Sequence, residues 1–477
     1  GWRAGGADES TIATKLVRLN KARCTPPLPE EEVGKIAKSA AGYAAPSGKL
    51  DLPGILAEAV LADQFSNGEH LVHRNGRFFK FLQTSWVEIT DDQVRKAVLK
   101  QIRSLKHRAH VKSASLMTEV TAVLRASQET ERDLFAEVDE PRSIVNCQNG
   151  ELWLDAQGHP EKKAHHPSSG QRHTLAVQYD PEAKCPMYDA ALSQIFGKAR
   201  DPAGLVRHWH ELVGYLIQPT RPFPIIVVLL GKGANGKTRL VQTVTQLLGP
   251  QASFFGSVDQ LEGNRFSLGA LRGKLLFVDD DVKVRFRLPD GVLKKISEAK
   301  AITGEEKYRN PTTFTARSVP FLLCNGIPFL QDVTDGMLRR LHILPFDRQF
   351  LHSERDTTLF DRIWATELPG ILNRSLDGWQ RLKARGDFLL PKDAAKMKEK
   401  WVVQANPFAA FIEECVTADP AGRVALSVVY ERFTSWIRES GIHRSLTRQQ
   451  LGTDLANWGF TLKKSNGQKV VYGLILR

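Results

Sequence analysis

A glycine-rich turn between an apolar strand and an amphipathic helix constrains this 477-residue chain more than any other feature. The segment "IIVVLLGKGANGKTRLVQTVTQLL" fits the pattern G-x-x-x-x-G-K-[ST] from Gly231 to Thr238. Backbone N–H groups of such a turn, at the start of a helix, wrap a chain of phosphates. We expect the Lys237 ammonium group at the β- and γ-phosphates and the Thr238 hydroxyl in a Mg²⁺ shell. The predicted cofactors are therefore ATP and Mg²⁺, and the predicted nucleotide-binding residues are Gly231, Gly233, Ala234, Asn235, Gly236, Lys237 and Thr238.

A second segment, "GKLLFVDDDVK", indicates a buried strand that ends in three carboxylates. A strand of this kind, paired with a phosphate loop, supplies one acid to the water shell of the metal and the next acid to the attacking water. We assign these roles to Asp279 and Asp280, with Asp281 the choice if the register is one residue later. An acidic turn without a catalytic role is the alternative interpretation.

Two further segments carry polar side chains next to apolar strands. "SVPFLLCNGIP" ends in Asn325, whose amide is suited to hydrogen bonding with a γ-phosphate or an attacking water. "DGMLRRLHILPF" places Arg339 and Arg340 immediately before a strand, where a guanidinium group can stabilise transition-state charge. Taken alone, an Asn-Gly pair is usually a turn, and two adjacent arginines are usually a solvated surface.

The order of these four segments resembles the superfamily 3 helicases, most closely the phage and plasmid primase-helicases that also include the poxvirus primase-helicase. The resemblance implies that Asp279 and Asp280 form the Walker B pair, with Asp279 and Thr238 at the metal. It also implies that Asn325 is sensor 1 and that Arg340 is an arginine finger acting on the neighbouring subunit.

In that superfamily a β-hairpin between Walker B and sensor 1 projects into the channel of a ring and grips DNA. The matching segment here is "AITGEEKYRNPTTFTA", so the resemblance predicts DNA contacts by Lys307 and Arg309 at its tip. Glu305 and Glu306 lie beside these cations and reduce the local positive charge. A solvent-exposed turn is the alternative interpretation of the tip.

Strands alternate with helical segments across the middle of the chain, a pattern typical of a mostly parallel sheet. The C-terminal part has three helical patterns followed by a β-ribbon that turns at Asn466-Gly467, which is a winged-helix order. The predicted fold class is α/β, with an AAA+-like P-loop ATPase core, an N-terminal helical and α+β accessory region, and a C-terminal winged helix. The predicted domains are a helical segment like the C-terminal part of a primase (1–46), an α+β pre-helicase domain with a collar or oligomerisation role (51–204), a superfamily 3 AAA+ ATPase core (205–350), a helical lid or linker (351–404) and a winged helix (405–477).

The charge of the chain bears on its partner, and its cysteines bear on its compartment. Lys and Arg outnumber Asp and Glu by 66 to 53, and the formal net charge of +13 favours a polyanion. A basic surface that serves solubility is the alternative. The five cysteines are odd in number and lack CxxC or zinc spacing, so reduced thiols in the cytoplasm of a bacterial host are expected.

The remaining features concern membranes and missing segments. No apolar run approaches the roughly 20 residues that a membrane span needs, so no membrane partner is expected. The start "GWRAGGADES" has neither a signal-peptide pattern nor an initiator methionine. We therefore expect a fragment whose upstream primase or polymerase domain is absent, since the N-terminal part shows no primase motif of paired acids on a strand.

The predicted function is an ATP-dependent replicative DNA helicase of a phage, plasmid or other mobile element. It would work as a homo-hexameric ring on single-stranded and forked DNA, with a 3′ to 5′ polarity that only the resemblance implies. One alternative is a ring NTPase that remodels protein or packages DNA, which DNA-stimulated ATPase without strand separation would favour. The other alternative is a non-enzymatic origin-binding initiator that uses ATP for assembly, which measurable turnover would exclude.

Overall fold

The computed structural model describes residues 9–24, 27–42, 51–105, 113–130, 134–136, 141–283, 287–307, 309–330, 335–404, 407–440, 447–465 and 467–477. Within these ranges, no helix combines the length and the apolar character that crossing a membrane requires. The chain divides into two compact units, one made of 1–68 with 90–128 and the other of 69–89 with 129–477.

The first unit is built from helices over the part that is described. They are α1 (Glu9–Arg23), α2 (Glu30–Gly42), α3 (Leu52–Gln64), α4 (Asp91–Ser104) and α5 (Ser113–Gln128). Apolar side chains recur at helical spacing, as at Val94, Val98 and Ile102 of α4, and all three are buried. α4 begins with a capping box in which Thr90 and Gln93 each accept a backbone N–H of the other.

The second unit begins with two small antiparallel sheets. The first contains β1 (Leu71–Arg74), β2 (Arg77–Leu82) and β3 (Ser85–Ile89), and the second contains β4 (Ile144–Cys147), β5 (Gly150–Leu154) and β6 (Pro160–Lys163). The side chain of Asn146 joins them, because its Nδ2 donates to the carbonyl oxygens of Thr84 and His173 at 2.8 Å each. The mixture of helices and short strands predicted for this part of the chain is confirmed.

The centre of the second unit is a five-stranded parallel sheet. Its strands are β7 (Ile226–Leu230), β8 (Ser253–Phe255), β9 (Leu276–Val282), β12 (Val319–Cys324) and β13 (Leu341–Pro345), in the spatial order β13-β7-β12-β9-β8. All neighbouring pairs run parallel. Alternate residues of β7 enter two different cores, Val227 and Leu229 on one face and Ile226 and Val228 on the other. The predicted mostly parallel α/β sheet is therefore confirmed.

Helices cover both faces of this sheet, and a hairpin lies between its third and fourth strands along the chain. The helices are α6 (Pro186–Ile195), α7 (Pro202–Leu216), α8 (Lys237–Leu248), α9 (Arg265–Gly269), α10 (Asp290–Ser297) and α11 (Asp335–Leu338). The hairpin pairs β10 (Ala301–Gly304) with β11 (Thr312–Thr315) in antiparallel register.

Three helices follow the sheet: α12 (Leu359–Thr366), α13 (Leu368–Arg385) and α14 (Lys392–Gln404). α13 packs on α7 at a close crossing formed by two glycines. A Cβ at Gly214 would clash with the Ser375 carbonyl oxygen, and a Cβ at Gly378 would clash with that of His210. The predicted helical segment after the core is thus anchored on the core itself.

The C-terminal part contains three helices and a three-stranded sheet. Its elements are α15 (Pro407–Cys415), β14 (Val416–Ala425), α16 (Leu426–Glu439), α17 (Arg448–Asn457), β15 (Thr461–Ser465) and β16 (Gln468–Leu476), with strand order β14-β16-β15. The three helices and the two strands of the ribbon lie where they were predicted, while Asn466 of the predicted turn lies outside the described residues. The strand β14 between the first two helices was not predicted. Its sequence "VTADPAGRVA" contains Pro and Gly, which are uncommon inside strands. The strand forms by long-range pairing with β16, as between Val416 and Leu476, and the register of this pairing shifts after Ala418.

Candidate nucleotide-binding and DNA-contact site

The phosphate loop joins the carboxyl end of β7 to the start of α8, as predicted. Two of its glycines are required by the backbone. Gly236 has φ +91°, and a Cβ there would lie 2.7 Å from Ile195 Cδ1, while a Cβ at Gly231 would clash with the Phe346 carbonyl oxygen. Gly233 has no heavy atom near its Cβ position, so packing does not demand glycine there. Residues 232–234 of the loop are exposed, and the loop leads into a helix N-terminus, the geometry that receives phosphate.

Lys237 is buried, and its ammonium group folds onto the loop itself. Nζ donates to the Gly231 carbonyl oxygen and to Asn235 Oδ1, the latter at 3.3 Å. Burial lowers the pKa of Lys237. Asn235 is also buried, and its Nδ2 donates to the Phe346 carbonyl oxygen at 3.2 Å, so its amide fixes the loop conformation.

The three carboxylates at the end of β9 have different surroundings. Asp279 is buried, and its two oxygens accept from the backbone N–H groups of Val258 (2.7 Å) and Asp281 (3.2 Å). Burial raises the pKa of Asp279, against the lowering effect of these two hydrogen bonds. Asp280 and Asp281 are exposed.

Thr238 and Asp280 line the same cleft, which has a volume of about 340 Å³ and extends along α8 to Trp364. Thr238, a predicted metal ligand, therefore shares a cleft with Asp280, which was predicted to polarise water. Asp279, the other predicted metal ligand, does not line this cleft and accepts two backbone N–H groups. Mg²⁺ usually takes one or two protein ligands and completes its shell with water and phosphate oxygens. A hydroxyl and a carboxylate at one cleft fit such an ion, and the described residues hold no group of three His, Cys, Asp or Glu suited to a metal.

Asn325 follows β12 directly and is exposed. Its strand lies beside β7, and the Gly231 N–H donates to the Cys324 carbonyl oxygen at 3.0 Å. The predicted sensor residue thus lies at the same sheet edge as the phosphate loop.

The two arginines before β13 differ sharply. Arg339 is exposed, whereas the Arg340 side chain is only 4% exposed and forms an ion pair with Glu298 of the same chain. Both precede the amino end of β13, and the phosphate loop follows the carboxyl end of the parallel strand β7. Arg340 therefore lies at the sheet edge opposite its own phosphate loop.

The predicted hairpin is present, and its two basic tip residues differ in their contacts. Arg309 Nη1 pairs with Glu88 of β3 at 2.9 Å. Lys307 is exposed. The buried Arg77 of β2 joins the same network, pairing with Glu88 at 2.9 Å and with Glu306 at 2.8 Å. This network links the hairpin tip to a sheet more than 200 residues earlier, and no local sequence pattern signals it.

Comparisons with known families match three separate parts of the chain. Residues 58–197 match "D5 N terminal like", residues 229–340 match a "Family of unknown function (DUF5906)", and residues 403–472 match "Poxvirus D5 protein-like". A curated relative, "Putative helicase L207/L206" of Acanthamoeba polyphaga mimivirus, is 32% identical over 137 residues. The match covers 27% of this chain and 14% of the relative, so the chain corresponds to a small part of that protein.

Solved structures resemble nearly the whole chain. The apo structure of the NrS-1 C-terminal region superposes with a TM-score of 0.51 and 12% identity, covering 89% of this chain and 99% of that one. The A form of the same region gives a TM-score of 0.49 and 11% identity, over 89% and 100% of the two chains. At such identities the likeness of the first structure concerns the fold alone.

Proposed function

We propose that this chain, a member of the phage- and poxvirus-type superfamily 3 primase-helicases, is an ATP-driven replicative DNA helicase. One observation carries the proposal. The phosphate loop follows the carboxyl end of β7, Asn325 follows that of β12, and Asp280 is one of the last three residues of β9, so these groups lie at one edge of three adjacent parallel strands.

The proposed chemistry follows from the positions of these side chains. Backbone N–H groups of the loop and the Lys237 ammonium group bind the phosphates of ATP. Thr238 and Asp279 are assigned to Mg²⁺, and Asp280, which shares a cleft with Thr238, is the other Walker B acid. Mg²⁺ neutralises phosphate charge when it is bound. A carboxylate of the Walker B pair and the Asn325 amide orient the attacking water.

We infer that the working form is a homo-hexameric ring. The topology supports this inference, because Arg340 lies at the sheet edge opposite its own phosphate loop, so that a finger role for Arg340 would require ATP bound by a neighbouring subunit. Hydrolysis would then move the neighbour's hairpin and the single-stranded DNA that Lys307 and Arg309 contact. A 3′ to 5′ direction, a mobile-element source and an upstream primase domain are the remaining parts of the proposal.

Steady-state ATPase measurements with and without single-stranded DNA test the enzymatic part. The wild-type protein should hydrolyse ATP with Mg²⁺ and do so faster with DNA. Turnover that DNA does not change would favour the ring NTPase that remodels protein. Binding of ATP without turnover would favour the origin-binding initiator.

A further inference from the structure

Two arginines and two glutamates form a closed ring of ion pairs at the tip of the hairpin. Arg77 pairs with Glu88 at 2.9 Å and with Glu306 at 2.8 Å. Arg309 pairs with the same two glutamates, at 2.9 Å and 3.9 Å respectively. Cations and anions alternate around these four side chains, which we call the charge ring.

Each carboxylate of the charge ring uses its two oxygens for different arginines. Glu88 contacts Arg77 through Oε2 and Arg309 through Oε1. Glu306 contacts Arg77 through Oε1 and Arg309 through Oε2. If Arg309 left, Arg77 would still reach both carboxylates, with Nη1 at Glu88 and Nη2 at Glu306. The charge ring can therefore open at Arg309 while both carboxylates keep a cation.

Burial distinguishes the two arginines of the charge ring. The Arg77 side chain is 6% exposed, and that of Arg309 is 40% exposed. A buried guanidinium that loses its carboxylates is strongly destabilising, whereas an exposed ion pair contributes little. Arg77 is thus the fixed cation of the charge ring, and Arg309 is the one that can exchange its partner.

The Glu88 carboxylate offers Arg309 the same chemistry as a phosphate group. Glu88 lies in β3 opposite Phe79 of β2, so its backbone position is fixed by the sheet. Burial raises the pKa of Glu88, but the hydrogen bond from Arg77 and the charges of Arg77 and Arg309 lower it by more, so the group is anionic at neutral pH. A guanidinium group donates to carboxylate and phosphate oxygens with the same geometry.

A cleft gives an incoming phosphate access to the charge ring. Glu88 and Glu306 line this cleft, which has a volume of about 340 Å³. Lys307, the other basic residue of the hairpin tip, also lines it and is exposed. A phosphate that enters from solvent therefore meets Lys307 next to the carboxylates that hold Arg309.

We propose that Glu88 competes with the phosphates of single-stranded DNA for Arg309. In the absence of DNA the carboxylate holds the arginine, and a phosphate takes its place when a strand binds. This proposal rests on the proposed contact between the hairpin and DNA. Glu88 lowers the affinity of the hairpin for DNA, and by taking Arg309 back it helps the hairpin to release one phosphate before it binds the next.

A charge ring that only fixes the hairpin is the alternative, and a double-mutant cycle separates the two. The four proteins are the wild type, Glu88→Gln, Arg309→Gln and the double variant. Circular dichroism and melting temperature establish that all four are folded. Anisotropy of labelled oligo(dT) measures binding at low salt, where the affinity for DNA is highest, and then over a salt series.

Competition by Glu88 predicts an effect that depends on Arg309. Glu88→Gln should tighten binding of oligo(dT) about two- to threefold when Arg309 is present, on the scale of one exposed ion pair. The same substitution should leave binding unchanged in the Arg309→Gln background. Arg309→Gln alone should lower the salt slope by about 0.7, the value for one phosphate contact on a single strand.

The control is Glu305→Gln, which removes the same charge from the same hairpin tip. Glu305 pairs with Arg265 at 2.9 Å. Its substitution changes the general field at the tip, so any effect on oligo(dT) binding should be the same with and without Arg309.

Two results would overturn the proposal, and they differ in what else they refute. An equal effect of Glu88→Gln in both Arg309 backgrounds, in proteins that bind oligo(dT), would leave the charge ring a structural feature and the helicase function intact. Failure of both the wild type and Glu88→Gln to bind oligo(dT) would refute the DNA contact of the hairpin as well. A wild type that binds oligo(dT) without hydrolysing ATP would refute the helicase function alone, since the cycle would still decide on Glu88.

Discussion

Arg340 and Glu298 form an ion pair within one chain. Arg340 immediately precedes β13, and Glu298 follows α10 three residues before the hairpin strand β10 begins. Glu298 also pairs with Lys300, and burial lowers the pKa of Arg340. The arginine motif is thereby connected to the base of the hairpin, and in the proposed ring Arg340 would have to leave Glu298 before it contacts ATP of a neighbouring subunit.

Arg340→Ala should therefore bind ATP nearly normally and hydrolyse it very slowly. An arginine finger supplied by a neighbouring subunit raises the rate of hydrolysis by a factor of roughly 10³ to 10⁵. ATP binding by a fluorescent analogue and single-turnover hydrolysis separate the two effects. The matched variant is Arg339→Ala, which removes the exposed neighbour. Loss of hydrolysis in Arg339→Ala with normal hydrolysis in Arg340→Ala would transfer the finger role to Arg339.

Mixing Arg340→Ala with Lys237→Ala subunits tests whether the site is shared. Some interfaces of the mixture pair an intact loop with an intact finger, so part of the activity should return. Labelled co-purification establishes that subunits exchange. A mixture that exchanges and stays as inactive as either parent would show that Arg340 does not act across subunits.

Lys237→Ala should lower ATP hydrolysis on the order of 10²-fold or more, because its ammonium group is the cation placed in the phosphate loop. Lys232→Ala, in the same loop but with an exposed side chain, is the control and should stay close to wild type. Titration with an ATP analogue and phosphate-release assays measure both variants. Wild-type turnover in Lys237→Ala would refute the phosphate-loop assignment.

Asp279→Asn and Asp280→Asn should both reduce turnover, with different effects on stability. Asp279 accepts hydrogen bonds from two backbone N–H groups, so the amide NH₂ of Asn would face one of these donors. This should lower the free energy of unfolding by about 1–3 kcal/mol. Asp280 is exposed, so Asp280→Asn should keep the wild-type melting temperature. Calorimetry and ATPase assays check this contrast. Normal turnover in both variants, with loss in Asp281→Asn, would place the catalytic register one residue later.

Replacing Lys307 and Arg309 together by alanine should weaken single-strand binding and stop unwinding while sparing most basal ATPase. Of the single variants, Lys307→Ala should have the larger effect, since Arg309 is paired with Glu88. Glu88→Gln should remove the shorter of the two ion pairs of Arg309, the other being with Glu306 at 3.9 Å, and should tighten single-strand binding about two- to threefold. Lys295→Ala, an exposed cation of α10, is the control. Unwinding that survives the double substitution would show that another loop grips the DNA.

A local pattern was sufficient to predict the phosphate loop, because its glycines define the backbone over a few positions. The hairpin was predicted from the resemblance to the superfamily, and the structure has its strands at 301–304 and 312–315. The alternation of strands and helices indicates parallel strands, whose carboxyl ends lie at the same edge of the sheet. This is why Thr238, Asp280 and Asn325 lie at one edge.

Long-range pairing accounts for what the sequence did not reveal. β14 is a strand because Val416 pairs with Leu476, 60 residues later. The burial of Arg340 depends on Glu298, and two adjacent arginines show no difference in sequence.

Strand displacement from a forked duplex tests the helicase account most directly. A fork with labelled strands, incubated with protein, Mg²⁺ and ATP, should release its labelled strand, and a non-hydrolysable ATP analogue or the Lys237→Ala variant should give no release. Forks with a single-stranded 3′ or 5′ arm alone should show that a 3′ arm is required. DNA-stimulated hydrolysis of ATP without release of a strand from any fork would contradict the account.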